Sequence, residues 1–555
     1  MADQVLESPP ALAPDDPFLR EAQTFPQLAP EMAARVAAWG VEQRLAPGET
    51  IYARGERQVD FFLVLEGSVE IVDLDAHGRP HVIVVHRERQ FTGELDLFTG
   101  REVLVSARAG PGGETRVVRI PRADFRRLIT AEPDFGEIVM RAYILRRVGL
   151  IRHAQGGAVL IGPGHGAETL RLQRFLTRNS YPHRLYDTEL DPDADGFLAA
   201  FHITPDQLPV VIIHGETVLR DPGAAALADA LGLTEKVDPA HAYDLVVVGG
   251  GPAGLAAAVY GASEGLDTLV IEAVAPGGQA GTSSKIENYL GFPTGISGQA
   301  LAARAQVQAQ KFGARLLVSR EASALDCSVS PFQLLLDDGQ TVSARTVVIA
   351  SGARYRRLGL PEEARYEGAG LHYAATAMEA RLCAGEEVAV VGGGNSAGQA
   401  AIFLAREARH VHLLVRAEGL AATMSDYLIQ RIASAARITL HVQSQITSLT
   451  GEDRLRQVTW TNRRTGETQT RAMGNVFVMI GADPNTGWLK GCVDMDDRGF
   501  VLTGGLGAES AFATTKSGIY AVGDVRSGSI KRVASSVGEG SVVVQGVHQH
   551  LHGVG

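Results

Sequence analysis

The chain has 555 residues, of which 21% are charged and 45% hydrophobic, and its formal net charge is -11. One hydrophobic core rarely serves so long a chain, so we expect two to four domains. The negative charge and the lack of a long basic tract argue against a nucleic-acid partner. No apolar run reaches the ~18 residues needed to span a bilayer, so we expect no membrane insertion.

The N-terminus and the cysteines indicate the cellular setting. The first twenty residues are acidic and proline-rich where a signal peptide has a basic start and an apolar centre, so we expect a cytoplasmic protein. The three cysteines, Cys327, Cys383 and Cys492, lie far apart and form no CxxC. We therefore expect neither a disulfide framework nor a metal site.

The N-terminal part reads as a β-rich domain over residues 1–155. A proline-rich lead-in occupies residues 1–35. Short apolar runs then alternate with glycines between residues 40 and 130, which predicts a small β-barrel or sandwich. Helical spacing over residues 131–150 predicts a connecting helix.

The remaining chain alternates strands and helices. Residues 156–235 predict a small α/β domain. From residue 243 onward, a strand, a glycine turn and a helix follow one another twice, which predicts two lobes of Rossmann type. We assign residues 241–365 and 479–555 to the first lobe and residues 366–478 to the second.

A dinucleotide-binding fingerprint follows the apolar strand of residues 243–248. The GxGxxG glycines permit a tight turn, a close approach of the pyrophosphate and helix–strand packing, and an acid at the end of the next strand accepts hydrogen bonds from a ribose hydroxyl. The pattern predicts an FAD site. Its predicted residues are Gly249, Gly251, Pro252, Ala253, Gly254 and Glu272.

A second fingerprint follows residues 387–391. Here the next strand is expected to end in Arg416, where the first unit has an acid. Arginine suits a ribose 2′-phosphate, so this site favours NADPH, with NADH as the alternative. Its predicted residues are Gly392, Gly394, Asn395, Ser396, Ala397 and Arg416.

A third element closes the chain. Gly523 and Asp524 end an apolar strand, and a helix is predicted to begin near Val533. A carboxylate at this place can hold flavin hydroxyls, and the N-terminus of the helix can stabilise charge on a reduced flavin. We assign no catalytic side chain, because the flavin itself would carry the chemistry.

Residues 241–555 closely resemble the thioredoxin-reductase family of pyridine-nucleotide flavoenzymes. Besides both glycine loops, the shared motifs are APGGQ (275–279), KIENYLGFP (285–293), ASGARYR (350–356), IGADPNT (480–486) and YAVGDVR (520–526). The resemblance implies that the flavin is contacted by Gly278, Gln279, Asn288, Gly352, Asp524, Arg532 and Val533. It also implies a homodimer, and lobe rotation through segments near 355–372 and 472–482.

Two departures from that family bear on function. The family places a redox-active cysteine pair just before its second glycine loop, whereas this chain has Ala374 and Ala377. Alanine cannot pass electrons to a disulfide, and we expect Cys383 to be a buried hydrophobe rather than a replacement. The family also places paired arginines near the second strand end, of which only Arg416 remains.

The front domains resemble ligand-binding modules that have lost key residues. Residues 40–130 resemble a cyclic-nucleotide-binding domain, with Glu94 at the position of the ribose ligand. Val103 stands where an arginine should neutralise the phosphate, and Arg101 lies two residues away. Because a buried phosphate without its cation is costly, loss of cyclic-nucleotide binding is the favoured interpretation.

Residues 157–235 resemble a thioredoxin- or glutaredoxin-like unit. Pro209 would be its cis-proline, but the redox cysteines are missing, and His165 lies in the loop where they should stand. We expect a binding or docking module.

Two functions are compatible with these features. The first is an FAD-dependent oxidoreductase that takes hydride from NADPH and passes electrons to an unidentified acceptor, such as a quinone, oxygen, a metal centre or a partner protein. The second is a flavin-bearing redox or nucleotide sensor with little turnover. A conventional thioredoxin reductase is disfavoured by the alanines.

Overall fold

The computed structural model describes residues 16–553 except 58, 75–78, 94, 95, 100, 216, 236, 284, 453, 506, 507 and 509, and gives only the backbone of residues 377 and 378. In this part of the chain, no helix is long and apolar enough to cross a membrane. The sheets divide between a barrel, a middle domain and two lobes, which confirms the predicted multidomain architecture.

Two antiparallel sheets form the N-terminal barrel. Its strands are β1 (Val41–Leu45), β2 (Thr50–Tyr52), β3 (Phe61–Glu66), β4 (Val69–Leu74), β5 (Pro80–His86), β6 (Ser106–Ala109) and β7 (Thr115–Ile120). The strand orders are β1-β7-β3 and β2-β6-β4-β5. The helices are α1 (Glu21–Thr24), α2 (Pro30–Ala37), α3 (Asp96–Thr99), α4 (Arg122–Ala131) and α5 (Pro133–Arg152). Helix α5 is the predicted connecting helix, and its buried aromatic residues pack against the barrel.

The middle domain has one four-stranded sheet. It contains β8 (Ala158–Gly162), α6 (Ala167–Arg178), β9 (His183–Asp187), α7 (Ala194–Ala200), β10 (Val210–Ile213), β11 (Thr217–Arg220) and α8 (Ala224–Ala230). The order is β11-β10-β8-β9, with β8 and β9 parallel and the other pairs antiparallel. Sequence reasoning took β11 for a turn. The Leu208–Pro209 peptide is cis, as predicted, whereas the likeness to thioredoxin stays a prediction.

The first lobe is built on a mostly parallel sheet. Its first part contains β12 (Ala242–Val248), α9 (Pro252–Ser263), β13 (Thr268–Glu272), α10 (Gly298–Lys311), β14 (Arg315–Val318), β15 (Ala322–Asp326), β16 (Phe332–Leu336), β17 (Thr341–Ile349), β18 (Ala353–Tyr355) and α11 (Glu363–Tyr366). The strand order is β14-β13-β12-β17-β16-β15. Residues 245–248 of β12 and 269–271 of β13 are apolar and buried, because both faces of a parallel sheet are covered.

The second lobe is inserted into the first. It contains β19 (Leu371–His372), α12 (Ala377–Leu382), β20 (Glu387–Val391), α13 (Asn395–Leu404), β21 (His410–Leu414), α14 (Asp426–Ser434), β22 (Ile438–His441), β23 (Ser444–Gly451), β24 (Leu455–Asn462), β25 (Thr468–Ala472) and β26 (Asn475–Val478). A parallel sheet has the order β19-β26-β20-β21-β22, and β23-β24-β25 form an antiparallel sheet.

The chain then returns to the first lobe through β27 (Ala482–Pro484), β28 (Ile519–Ala521) and α15 (Val533–Leu551). Strand β28 adds to β17, and β27 pairs with β18. The two connections between the lobes therefore lie side by side. The observed start of α15 confirms the predicted helix at Val533.

The cysteines correct one expectation. Cys327 and Cys492 form a disulfide, with Cα atoms 5.8 Å apart although the residues are 165 positions apart in sequence. They meet because the end of β15 packs against the turn at residues 487–489. Cys383 is fully buried, and burial raises the pKa of its thiol to about 12, which agrees with its expected hydrophobic role.

Helices α9 and α15 approach each other closely at Gly540. A Cβ added there would lie 2.1 Å from the carbonyl oxygen of Ala253 in the first turn of α9. At Gly538 in the same helix, an added Cβ would meet nothing within 4 Å. The contact between the helices thus requires glycine at one position and not at the other.

We expect Gly540→Ala to lower the free energy of unfolding by about 1–3 kcal/mol, because the methyl group must displace backbone. Gly538→Ala is the matched control and should be neutral or stabilising by up to ~1 kcal/mol, as alanine favours the helix. Thermal and urea unfolding of both variants measure the difference. Equal stability of the two variants would contradict the proposed contact.

Candidate functional site

The first glycine turn joins β12 to α9 and has no room for side chains. Gly249 has a φ of +110°, and a Cβ there would lie 2.2 Å from the carbonyl oxygen of Ala350. A Cβ on Gly254 would lie 1.8 Å from the carbonyl oxygen of Gly249. Two of the three fingerprint glycines are therefore fixed by packing alone.

The N-terminus of α9 is open toward a second loop. Gly251 caps the helix without a side-chain hydrogen bond, and Pro252 follows as the first helical residue. Gly278, with a φ of +52°, faces this turn, and a Cβ on it would lie 3.0 Å from the Cα of Gly251. Free N–H groups and an approachable backbone fit the pyrophosphate of a dinucleotide. Ala253 is buried beside the turn.

Glu272 ends β13, as predicted, and its side chain is buried. One oxygen accepts a hydrogen bond from Gly250 N at 2.7 Å, and the other accepts from Val274 N and Ala275 N at 3.0 and 3.2 Å. The carboxylate thus holds the glycine turn and the following loop together. Each oxygen retains acceptor capacity for a ribose hydroxyl.

The third element lies against the start of α9. A Cβ on Gly523 would lie 2.9 Å from the Cβ of Ala253, and Gly523 N donates to Glu539 Oε2 at 2.6 Å. Burial raises the pKa of Asp524, Lys531 opposes this shift and Glu539 adds to it. Sequence reasoning missed Glu539, whose signal is visible only once α15 packs beside this turn.

The end of α15 that faces this element is uncapped. Arg532 is the N-cap residue with extended backbone angles, and it makes no side-chain capping bond. Val533 begins the helix. The positive end of a 19-residue helix is therefore available near Asp524.

The other residues that the resemblance places on the flavin are partly brought together. The Gln279 side chain donates to the carbonyl oxygen of Ala353, so loop 275–279 contacts β18. Gly352 has a φ of +64° and open space around its Cα, whereas Asn288 is exposed. Sequence reasoning missed Tyr355, which is hydrogen-bonded to Thr282 at 3.4 Å.

The pKa of Tyr355 responds to several of the groups that are candidates for the flavin site. Burial raises the pKa of its phenol, the Thr282 hydroxyl and the charge of Arg178 oppose this, and Asp524 adds to it. These groups therefore lie near one another, between loop 275–279 and the third element.

The second glycine turn repeats the geometry of the first. Gly392 has a φ of +142°, and a Cβ there would lie 2.2 Å from the carbonyl oxygen of Met479. Gly394 caps α13 without a side-chain bond, and Ala397 is fully buried. Ser396 is exposed at the start of the helix.

Two features distinguish the second turn. The Asn395 side chain accepts a hydrogen bond from Ser425 N at 2.7 Å and so fixes the loop before α14. Strand β21 ends at Leu414 rather than at the predicted Arg416, because the chain turns away there. Arg416 is exposed, and within the described part of the chain it has no carboxylate partner. An unpaired guanidinium at this end of the sheet suits a phosphate.

The expected thiol positions lie beside the middle domain. Ala374 is half-buried ahead of α12, and Ala377 begins that helix. The disulfide Cys327–Cys492 packs instead against the core of the first lobe. Among the described residues, no three His, Cys, Asp or Glu side chains are grouped as for a metal.

A polar network joins the middle domain to the second lobe. Arg174 of α6 donates to Glu379 Oε1 at 3.0 Å and to His372 Nδ1 at 3.2 Å. His372 Nε2 then donates to Asn475 Oδ1 at 2.9 Å, and Asn475 Nδ2 donates to Glu386 at 3.0 Å. Because arginine can only donate, His372 is held neutral with its proton on Nε2.

The barrel offers little room for a cyclic nucleotide. Glu94 lies outside the described residues, Val103 is buried, and Arg101 donates to the carbonyl oxygen of Asn179 in the middle domain at 3.5 Å. The cavity beside Val103 has a volume of about 50 Å³ and an apolar lining, which is small against the ~300 Å³ of typical ligand pockets. Loss of cyclic-nucleotide binding stays a prediction.

Comparison with known proteins divides the chain in the same way. The sequence model of the family described as pyridine nucleotide-disulphide oxidoreductase matches residues 243–540. The model of the cyclic nucleotide-binding domain matches residues 42–132.

Individual relatives match more than half of the chain. The chain is 31% identical over 349 residues to "NADH dehydrogenase" of Bacillus subtilis (strain 168), covering 62% of this chain and 66% of that protein. It is 33% identical over 316 residues to "NADPH-dependent thioredoxin reductase 3" of Arabidopsis thaliana, covering 56% of this chain and 58% of that protein. The matches thus span no more than two thirds of these relatives.

The crystal structure of Lactococcus lactis thioredoxin reductase matches with a TM-score of 0.52 and 28% identity, covering 56% of this chain and 100% of that chain.

The network around His372 predicts a pH dependence. Burial lowers the pKa of His372 below its usual value of 6.5, with the nearby Arg174 charge adding to the effect and Asn475 opposing it. The unfolded state therefore binds this proton first, and stability is lost as pH falls below about 6.5. The loss from this group approaches ~1.4 kcal/mol per pH unit until the folded pKa is reached.

We expect the urea midpoint of wild type to fall more steeply between pH 7 and pH 5 than that of His372→Gln, which keeps one donor and one acceptor but does not titrate. Both proteins contain the other histidines, so their contributions cancel when the pH profile of the variant is subtracted from that of wild type. Parallel curves would contradict a neutral His372 in the folded protein.

Proposed function

The chain belongs to the pyridine nucleotide-disulphide oxidoreductase family, and on that premise we propose that it is an FAD-dependent oxidoreductase that takes hydride from NADPH. Electrons would leave for an acceptor without passing through a cysteine pair. The family uses a flavin and a pyridine nucleotide. Our proposal adds the lobe in which each cofactor binds and the class of electron acceptor.

One observation carries the proposal: the two glycine turns have the same backbone geometry but opposite chemistry at their second strands. In the first turn, the carboxylate of Glu272 is buried and tied to the backbone. In the second, the guanidinium of Arg416 is exposed beyond Leu414. A carboxylate excludes a 2′-phosphate and accepts a free ribose hydroxyl, whereas arginine attracts the phosphate. The contrast supports FAD in the first lobe and NADPH in the second.

The residues of the first lobe would hold the flavin nucleotide at three places. The turn from Gly249 to Gly254 receives the pyrophosphate, Asp524 accepts hydroxyl hydrogen bonds, and the N-terminus of α15 lends positive potential. When bound, FAD supplies a ring that accepts a hydride and releases electrons one or two at a time. Buried Ala353 and half-buried Tyr355 would shield that region from water.

The absence of a cysteine pair at Ala374 and Ala377 defines the acceptor class. No thiolate at these positions can attack a disulfide, so the acceptor must take electrons directly. Quinones, oxygen, metal centres and redox proteins meet this requirement. One relative bears the name NADH dehydrogenase, which keeps NADH as an alternative donor. We also propose a homodimer, on the resemblance alone.

The second candidate function is a redox or nucleotide sensor. It is favoured by the small apolar cavity in the barrel, by the lack of cysteines in the middle domain and by the alanines of the second lobe, because three domains then lack groups that their relatives use. Tight nucleotide binding without turnover distinguishes this function from an oxidoreductase.

Anaerobic titration of the purified protein with NADPH, and separately with NADH, tests the proposal. We expect the flavin absorbance band to bleach at one equivalent of NADPH per flavin. A protein that binds FAD but whose flavin stays oxidised with both nucleotides would favour the sensor function over the oxidoreductase. A protein that binds no FAD would refute both functions.

Arg416→Ala should raise the dissociation constant for NADPH about tenfold, equivalent to ~1.4 kcal/mol, and leave that for NADH unchanged. Arg409→Ala is the matched control, since Arg409 precedes the same strand at its opposite end and pairs with Glu387 at 3.2 Å. Titration by fluorescence quenching at fixed ionic strength measures both constants. An equal effect on both nucleotides would show that Arg416 does not read the 2′-phosphate.

A further inference from the structure

The C-terminal end of α6 reaches from the middle domain into the first lobe. Gln299 Nε2 donates to the carbonyl oxygen of Thr177 at 2.6 Å. Asn179 Nδ2 donates to the carbonyl oxygen of Val274 at 3.3 Å. Val274 is itself one of the loop residues whose backbone N–H donates to Glu272, so the end of α6 is docked against the flavin-site loop.

The same helix is anchored to the second lobe one turn earlier. Arg174 forms its ion pair with Glu379, which is almost fully buried, and contacts His372. Helix α6 therefore has a fixed position relative to both lobes, and a side chain at its last residue has a defined direction.

That last residue is Arg178. Its Nη2 donates to the carbonyl oxygen of Gly278 at 3.3 Å, in the loop that faces Gly251. Its positive charge also opposes the rise in the pKa of the half-buried Tyr355 phenol, for which burial is the larger effect. The guanidinium therefore lies against loop 275–279, close enough to Tyr355 for its charge to act on the phenol.

Arg178 carries a charge that the protein does not neutralise. Within the described residues, no carboxylate lies within ion-pair distance of this half-buried side chain, which donates instead to the carbonyl oxygen of Gly278. Arg171, on the same helix, pairs with Glu168 and Asp221 at 2.5 and 2.6 Å. A half-buried guanidinium without a carboxylate partner is available to an anion that arrives with a ligand.

We infer that Arg178 is a positioning residue of the flavin site, contributed by the middle domain, and that its charge favours the reduced flavin. The inference rests on the proposed FAD site in the first lobe. Hydride from the nicotinamide nucleotide adds two electrons and one proton to neutral oxidised flavin, which leaves the flavin with one negative charge and the nucleotide oxidised. A fixed cation nearby stabilises that anion more than the neutral form.

The middle domain accordingly has a role although it lacks redox cysteines. It docks through Arg174 and the end of α6, and it completes the charge distribution around the flavin. At the flavin site, helix α6 contributes the guanidinium of Arg178 and no thiol.

The test compares the flavin midpoint potential of wild type, Arg178→Gln, Arg178→Lys and the control Arg171→Gln, measured on FAD-loaded full-length protein against reference dyes. For Arg178→Gln we expect a tenfold loss in the preference for reduced over oxidised flavin, which for a two-electron couple is a fall of about 30 mV. Arg178→Lys should restore most of the potential, and Arg171→Gln should match wild type.

Each contrary result has a separate meaning. A wild-type protein that takes up no FAD overturns the proposed function and the inference with it. An unchanged potential in Arg178→Gln overturns the inference alone. So does a fall that lysine does not restore, because the effect would then come from lost docking rather than from charge.

Discussion

The close approach of α9 to its neighbours is the constraint on which the first lobe depends. Its first turn touches the glycine turn behind it and α15 beside it, with Gly254 and Gly540 leaving no room for a methyl group. This contact aligns the N-termini of two helices toward the same region. Since helix termini carry partial positive charge, packing alone creates an electrostatic preference for anionic ligands.

Polar contacts fix the loops of the first lobe and attach the middle domain to the second lobe. Glu272 joins the backbone of two loops, and Arg174 joins two domains through neutral His372. Glu272 is buried, and Arg174 is half-buried but hydrogen-bonded to buried Glu379 and His372. Removing either Glu272 or Arg174 would therefore leave partners unsatisfied at a cost of several kcal/mol. The barrel contributes in the same way, since Arg101 contacts the middle domain rather than its own cavity.

Local motifs made much of this predictable. The glycine turns, the end of β13 at Glu272 and the start of α15 at Val533 all follow from patterns within about thirty residues. Tyr355 and Arg178 act across 73 and 100 residues of sequence, and no spacing rule could join them to the site. Glu539 lies only 16 residues after Gly523, but its contact appears only once α15 packs beside that turn. The disulfide was excluded wrongly for the same reason, because distance along the chain says nothing about distance in a folded sheet. Strand β11 was missed because its short, half-buried run resembles a turn.

The disulfide has a topological consequence. Cys327 precedes the second lobe in sequence and Cys492 follows it, so the bond closes a covalent ring that contains residues 366–478. The flanking pieces of the first lobe, including β17 and β28, would stay tethered even if a protease cut the inserted lobe. The inserted lobe is thus a covalent loop closed by a disulfide in the first lobe. After such a cut, reduction of the disulfide would remove the covalent link between the two fragments and leave only non-covalent contacts such as the pairing of β17 with β28.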